Sequence, residues 1–179
     1  MNIVKKIMTA YQKSFWSLEK QARHAGVVIG KGNFVASRFW GAEPYLIEIG
    51  DFCQITGGVK ILTHGGGNAV RRLYPHFETF GKVRIGNHVY LGYNSMIMPG
   101  VIIGNDVLVA AGSIVTKSIP DGVVVGGNPA RFICTIEEYI ARNKNYDTES
   151  KGMSRDAKRE LLKNLPVEKF VTKPHIKIP

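Results

Sequence analysis

The chain has 179 residues, enough for one domain with a hydrophobic core, and carries a formal net charge of +10 at pH 7. This charge favours anionic partners, yet no run of lysine and arginine with interleaved aromatic residues is present, which argues against nucleic-acid binding. Two cysteines are too few for a disulfide framework, and no apolar segment approaches the roughly 20 residues needed to cross a membrane, so we expect a cytoplasmic protein without an integral membrane span.

The N-terminal segment predicts a helix. Residues 2–20 place apolar side chains at helical spacing, with lysines among the polar positions. Such a helix can lie on an anionic membrane surface, but it more often covers the open end of a repetitive fold. We therefore predict that residues 1–26 form an amphipathic helix that caps the following domain. The segment lacks the uninterrupted apolar stretch and cleavage site of a secretory signal.

A repeat of six residues dominates the middle of the chain. Residues 85–120 read IGNHVY, LGYNSM, IMPGVI, IGNDVL, VAAGSI and VTKSIP, and the first position is aliphatic every time. Neither the helical period of 3.6 residues nor the strand period of two produces this pattern. It indicates a parallel β-helix in which three hexads complete one triangular coil. We expect the aliphatic column to point inward and the small second column to let the chain turn each corner.

The same frame extends upstream and defines the domain. IGDFCQ, ITGGVK and ILTHGG follow one another from Ile49, and a less regular start at Ile29 slips by two residues across GAEPYL. Pro44 lies in this slip and predicts a bulge or a corner. We assign residues 27–133 to the β-helix.

The six-residue repeat ends beyond Arg131, and apolar residues at helical spacing follow. TIEEYIARN and SRDAKRELLKNL predict two helices, the second opened by Ser154 as its cap. The last ten or so residues look extended. Residues 134–179 are therefore predicted to be a helical C-terminal extension.

The one large departure from the sixes follows His64. A loop of about twenty residues without secondary structure of its own, placed at 65–84, suggests a functional role. Glycines 65–67 let the chain leave the coil sharply, and aromatic residues give the loop surfaces to pack against a neighbour. His64 holds the fourth, outward-facing position of its hexad. A neutral imidazole there could act as a general base near pH 7.

The segments PGV, AAGSIVTK and GGNPAR within residues 85–133 resemble the hexapeptide-repeat acetyltransferases. The branch is that of the maltose and galactoside O-acetyltransferases and of capsule and lipopolysaccharide sugar O-acetyltransferases, and the resemblance extends back to about Val27. It implies an all-β core formed by a left-handed parallel β-helix, a hand opposite to the general preference of parallel connections. It further implies a homotrimer with acetyl-CoA bound between adjacent subunits and no required metal.

The resemblance also assigns roles to residues. His64 becomes the general base that takes the proton of a sugar hydroxyl as it attacks the thioester, and surface polysaccharide biosynthesis is the expected setting. Backbone groups at three positions would contact the pantetheine arm, and two cations would meet the phosphates of CoA. The expected cofactor contacts are Tyr90, Gly92, Tyr93, Ala111, Thr116, Lys117 and Arg131. The acceptor contacts are expected from position alone, in the loop and in the neighbouring coil, at Ser37, Arg38, Arg71 and Tyr74.

Three positions depart from the family pattern. Gly65 follows His64 where many polysaccharide-branch relatives read THD, so a carboxylate partner for the histidine must come from elsewhere or be absent. Tyr90 stands where several relatives have tryptophan, and Cys134 where they have a second basic residue. These changes could reshape CoA binding without removing the histidine.

Other functions are compatible with the same triangular β-helix, or prism. The γ-class carbonic anhydrases bind zinc with two histidines five residues apart, but Tyr93 occupies that position after His88, which argues against a metal site. An antibiotic-inactivating acetyltransferase, an amino-sugar N-acetyltransferase and a non-catalytic trimeric scaffold remain open. His64 and the cofactor motif speak against the scaffold, whereas Gly65 leaves it possible.

Overall fold

The computed structural model describes residues 14–175, and the chain divides after Ile136 into a repeat unit and a C-terminal unit. Most of the helix predicted over residues 2–20 lies outside the described residues. Within them, helix α1 (Leu18–Ala25) begins at Ser17, whose side chain accepts a hydrogen bond from the Lys20 N–H. The prediction of one continuous helix is therefore wrong, because a bend at Trp16 separates α1 from the helical residues 14–15. Ala22 of α1 is fully buried in the core of the repeat unit.

Short strands make up the repeat unit, and all of them except the last pair in parallel. They are β1 (Val28–Ile29), β2 (Phe34–Val35), β3 (Ile47–Ile49), β4 (Gln54–Ile55), β5 (Lys60–Ile61), β6 (Val83–Ile85), β7 (Tyr90–Leu91), β8 (Met96–Ile97), β9 (Ile102–Ile103), β10 (Leu108–Val109), β11 (Ile114–Val115), β12 (Val123–Gly127) and β13 (Ala130–Thr135). The first sheet has the order β1-β3-β6-β9, the second β2-β4-β7-β10-β12-β13 and the third β5-β8-β11. From β3 to β11 consecutive strands take the three sheets in turn, and isolated parallel bridges at Phe39 and Ile119 supply the sides without a strand, which confirms the predicted three-sided coil.

Two columns of each hexad fill the interior. The aliphatic first column is buried throughout, as predicted, because its side chains stack on their counterparts in the next coil. The fifth column is buried as well, including Val89, Val107 and the two serines Ser95 and Ser113. The interior of the prism is therefore a packed core.

The corners differ from the prediction. The residue that turns the chain is the fourth of the hexad, which adopts the left-handed conformation, with φ of 56° at His88 and 57° at Asn94. The small second column serves close stacking instead. A Cβ on Gly86 would lie 2.7 Å from the carbonyl oxygen of Gly104 in the next coil. The expectation that second-column residues turn the corner is wrong.

Two interruptions break the repeat. The slip at GAEPYL contains a 3-10 turn over Pro44–Leu46, as predicted from the proline. The second interruption is the loop after His64, which ends at residue 82 rather than 84, because Val83 is buried and begins β6. The loop also has structure of its own, contrary to the prediction, with a 3-10 turn at Gly67–Ala69 and an ion pair between Arg71 and Glu78 at 3.0 Å.

The repeat unit ends in a hairpin that the hexad pattern did not predict. Strand β13 turns back antiparallel to β12 and continues through Thr135, so the predicted end of the domain at residue 133 is too early. Helices α2 (Ile136–Asn143) and α3 (Arg155–Lys163) follow, and the Ser154 side chain accepts a hydrogen bond from the Ala157 N–H, which confirms the predicted cap. No helix in residues 14–175 is long and apolar enough to cross a membrane.

Candidate active site

A hydrogen bond between His64, beside the loop, and Glu43, in the slip, connects the two interruptions of the repeat. The Nδ1 atom of His64 lies 2.7 Å from Oε2 of Glu43, and the hydroxyl of Thr63 donates to the same oxygen at 2.6 Å. Thr63 is fully buried, the Glu43 side chain is 17% exposed and that of His64 is 43% exposed. The imidazole therefore reaches solvent while its partner is held against the coil.

The charge on Glu43 fixes which nitrogen of His64 carries the proton. The hydrogen bond from Thr63 lowers the pKa of the Glu43 carboxyl below its ordinary value of 4.5; partial burial opposes this effect and the contact with His64 adds to it. An ionised carboxylate only accepts hydrogen bonds, so Nδ1 of His64 must donate. The lone pair then resides on Nε2, which is the arrangement a general base requires.

The returning end of the loop holds the histidine from the other side. His64 and Phe80 form an isolated antiparallel bridge, and their ring centroids are 5.7 Å apart at an angle of 44°. The Gly81 N–H donates to the carbonyl oxygen of Thr63 at 2.8 Å. The loop thus closes directly on the residues that carry the imidazole.

Two predicted cofactor residues share an edge of the prism with His64. The N–H of Leu62 bonds to Ile97, and the N–H of Met98 bonds to Val115, so residues 62–64, 98–100 and 116–118 stack in register. We call these three segments the histidine edge. Thr116 and Lys117 are exposed on it, two coils from His64. That separation is roughly 10 Å at the usual strand spacing of about 4.8 Å.

A hollow of about 360 Å³ brings Lys117 and Arg131 together. Its wall also includes Val123 and Phe132, whose ring is 63% exposed, and contains no carboxylate. Neither cation forms a salt bridge within residues 14–175. Phe132 was missed at the sequence level because it lies outside the hexads; its place directly after GGNPAR was the available signal.

The other predicted cofactor residues lie elsewhere on the prism. Tyr90 is exposed on the outer side of the second sheet, while Tyr93 and Ala111 are exposed at the corner between the second and third sheets. The prediction for Gly92 is wrong, because this residue is buried and its N–H donates to Val109 at 2.8 Å. The N–H of Ala111, by contrast, donates to no group in the described part of the chain.

The predicted acceptor residues also differ in whether a ligand can reach them. Ser37 is 2% exposed and its hydroxyl donates to the carbonyl oxygen of Val59, so its assignment as a substrate contact is wrong. Arg38 and Tyr74 are exposed and accessible to a ligand. Arg71 is exposed too, and it forms an ion pair with Glu78 at 3.0 Å.

His88, the histidine relevant to zinc binding, packs against an aromatic ring. His88 stacks on Phe52 with ring centroids 5.3 Å apart and an interplanar angle of 10°. Residues 14–175 contain no group of three or more histidine, cysteine, aspartate or glutamate side chains placed to hold a metal ion.

Known proteins resemble this chain along most of its length. The family model of the bacterial transferase hexapeptide (six repeats) matches residues 82–117. Protein CapG of Staphylococcus aureus is 43% identical over 135 residues, which cover 72% of this chain and 78% of CapG. The galactoside O-acetyltransferase of Escherichia coli (strain K12) is 34% identical over 123 residues, which cover 68% of this chain and 59% of that enzyme.

A solved structure gives the same result for the fold. The hexapeptide-repeat acetyltransferase of Vibrio cholerae O1 biovar eltor, crystallised with acetyl-CoA, superimposes with a TM-score of 0.54 at 28% identity. The match covers 62% of this chain and 60% of that chain. The coil of this protein is accordingly the left-handed parallel β-helix expected from its motifs.

Proposed function

Because this chain belongs to the hexapeptide-repeat acetyltransferase family, we propose that it transfers the acetyl group of acetyl-CoA to a hydroxyl of a sugar. One observation carries the proposal. The His64–Glu43 hydrogen bond leaves Nε2 of the imidazole free on the same edge as the cation Lys117. We further propose that the reaction takes place in the cytoplasm, during the assembly of a surface polysaccharide.

His64 performs the proton transfer in this proposal. Its Nε2 atom takes the proton of the acceptor hydroxyl as the oxygen forms a bond to the thioester carbonyl carbon. The carbon–sulfur bond then breaks, and the imidazolium returns the proton to the departing thiolate. An unpaired backbone donor such as the Ala111 N–H could stabilise the negative oxygen formed between these steps.

The two cysteines do not fit a covalent route. Cys53 and Cys134 are both buried. The thiol of Cys53 contacts the carbonyl oxygen of Gly86, and burial is the main cause that raises its pKa above the ordinary value of 9.0. Direct transfer from the thioester to the acceptor hydroxyl is therefore the proposed route.

The hollow that contains Lys117 and Arg131 is the proposed site for the nucleotide end of acetyl-CoA. Two cations without carboxylate partners among residues 14–175 suit its phosphate groups. Val123 and Phe132 offer an apolar surface to the adenine ring. Thr116 lies on the histidine edge between this hollow and His64, where the pantetheine arm would have to pass.

A homotrimer would reunite the remaining cofactor residues. Tyr90, Tyr93 and Ala111 lie on the second sheet or the corner beyond it, whereas His64 and Lys117 lie on the histidine edge. A single prism cannot bring these two groups of residues into one cleft. A cleft would form if the histidine edge of one copy faced the second or third sheet of another copy. We therefore propose that each active site forms between two subunits.

The loop is the proposed source of acceptor selectivity. Tyr74 and Arg38 are exposed and offer a ring and a cation to a sugar. Arg71 is paired with Glu78, so we propose that Tyr74 and Arg38 make the main contacts with the saccharide unit.

The test is acetyl-CoA binding followed by thiol release. Calorimetry measures binding to the wild-type protein, and a thiol-release assay then compares free sugars, nucleotide sugars and aminated acceptors. Binding with release on a hydroxyl acceptor supports the proposal. Release only on amines would identify an N-acetyltransferase, and the absence of binding would identify a non-catalytic scaffold.

A further inference from the structure

The carboxylate beside His64 comes from an unexpected part of the chain. Glu43 lies 21 residues upstream, in the slip that precedes β3, and not in the position directly after the histidine. It precedes the 3-10 turn Pro44–Leu46 but makes no side-chain hydrogen bond to that turn. Its carboxylate is therefore free for contacts in the neighbouring coil.

Close packing directs Glu43 toward the histidine. Gly41 has a φ of 67°, and a Cβ on this glycine would lie 2.7 Å from Oγ1 of Thr63. The left-handed backbone and the missing side chain let the slip lie directly against the coil that carries Thr63 and His64. Two donors from that coil then converge on one oxygen of Glu43.

We propose that Glu43 is a positioning residue that holds His64 in the tautomer and orientation needed for proton transfer, with Thr63 orienting Glu43 in turn. This inference rests on the proposed function of His64 as the base. The negative charge of Glu43 also stabilises the imidazolium that forms during transfer. Glu43 thereby takes the role of the aspartate that many relatives have at the position of Gly65. The slip in the repeat acquires a function, because it carries this carboxylate.

Nuclear magnetic resonance tests the tautomer without any need for the acceptor. At about pH 8, long-range ¹⁵N–¹H correlation should show His64 with a protonated Nδ1 and a bare Nε2 in the wild type. In Glu43→Gln the amide can either accept from or donate to Nδ1, so both tautomers should appear. Glu43→Asp, which keeps the carboxylate, should retain more of the wild-type tautomer. A His64→Ala spectrum identifies the signals.

Kinetics tests the consequence for transfer. Glu43→Gln should lower kcat by roughly 10–100-fold, the range seen when a metal-bound histidine loses the carboxylate that orients it, and leave the KM for acetyl-CoA unchanged. Thr63→Val should lower kcat by a smaller factor. Glu48→Gln is the matched control, since Glu48 is paired with Arg84 on the first sheet.

The outcomes separate this inference from the proposed function. An unchanged tautomer in Glu43→Gln, or a wild-type kcat in that variant, would overturn the positioning role. A purely structural role would lower the melting temperature and leave the tautomer of His64 as it is in the wild type. If the wild type shows the expected tautomer but transfers acetyl to no acceptor, the proposed function fails and the histidine geometry stands.

Discussion

Ile49 and Ile85 are register partners in adjacent parallel strands, although they are 36 residues apart, whereas Ile85 and its next partner Ile103 are 18 apart. The additional 18 residues are the loop 65–82. Without them, Val83 would follow His64 as the fifth residue of the same hexad. The loop is therefore an insertion that interrupts the chain and leaves the coil in register.

Deletion of residues 65–82 should give a folded protein that lacks transfer activity. His64 would then have to adopt the left-handed corner conformation already present at His88, at a cost of about 1–2 kcal/mol. Circular dichroism and thermal unfolding measure the fold, and thiol release measures the activity.

His64→Gly in the deletion variant is the control, because glycine adopts the corner conformation without strain and should raise the melting temperature. If the deletion variant does not fold even with this glycine, the loop is a structural part of the coil and not an insertion.

Ser95 and Ser113 occupy equivalent positions inside neighbouring coils but differ in their hydrogen bonds. The hydroxyl of Ser113 donates to Ala110 at 2.7 Å and accepts from Gly127, whereas that of Ser95 is buried without a partner among the described residues. Ser113→Ala should lower the free energy of unfolding by about 1–3 kcal/mol. Ser95→Ala should leave it unchanged or raise it. Denaturant titration of the two variants measures the difference, and equal losses would contradict this account.

Lys117→Glu should raise the KM for acetyl-CoA by roughly tenfold or more, because it replaces an unpaired cation with a charge that repels phosphate. The melting temperature should stay near that of the wild type, since Lys117 is exposed. Lys31→Glu, an equally exposed charge reversal on a different corner, is the matched control. Unaltered kinetics in Lys117→Glu would remove this residue from the phosphate site.

The sequence predicted the coil because a hexad is a local pattern. Each aliphatic first residue, such as Ile97, specifies its own burial, and stacking at intervals of 18 residues follows from three hexads per coil. The inward direction of the fifth column was not recognised, since its residues are small and mixed in polarity. The hairpin of β12 and β13 escaped prediction because it follows no hexad.

The site was predicted in part, for a physical reason. His64 was found because the repeat stops beside it, but its partner Glu43 lies in another coil, and only the slip at Pro44 marked that place. Gly92 was assigned to the cofactor from the family resemblance, and Ser37 to the acceptor from its position. Position in a hexad does not reveal whether a polar group is already bonded within the coil, as both are.

Sedimentation should give a particle with three times the mass of the 19.8 kDa chain. The physical reason is that the cofactor residues lie on separate sides of one prism and form a cleft only when copies meet. A stable monomer that still binds acetyl-CoA with full affinity would contradict the intersubunit site.

The central claim is that His64 moves the proton and contributes little to holding acetyl-CoA. The most direct measurement compares wild type and His64→Ala in one preparation each, by calorimetry with acetyl-CoA and by thiol release with a hydroxyl acceptor. The account predicts a loss of transfer of about 10²–10⁴-fold with a nearly unchanged Kd for acetyl-CoA. Transfer at the wild-type rate, or an equal loss of transfer and of acetyl-CoA affinity, would contradict it.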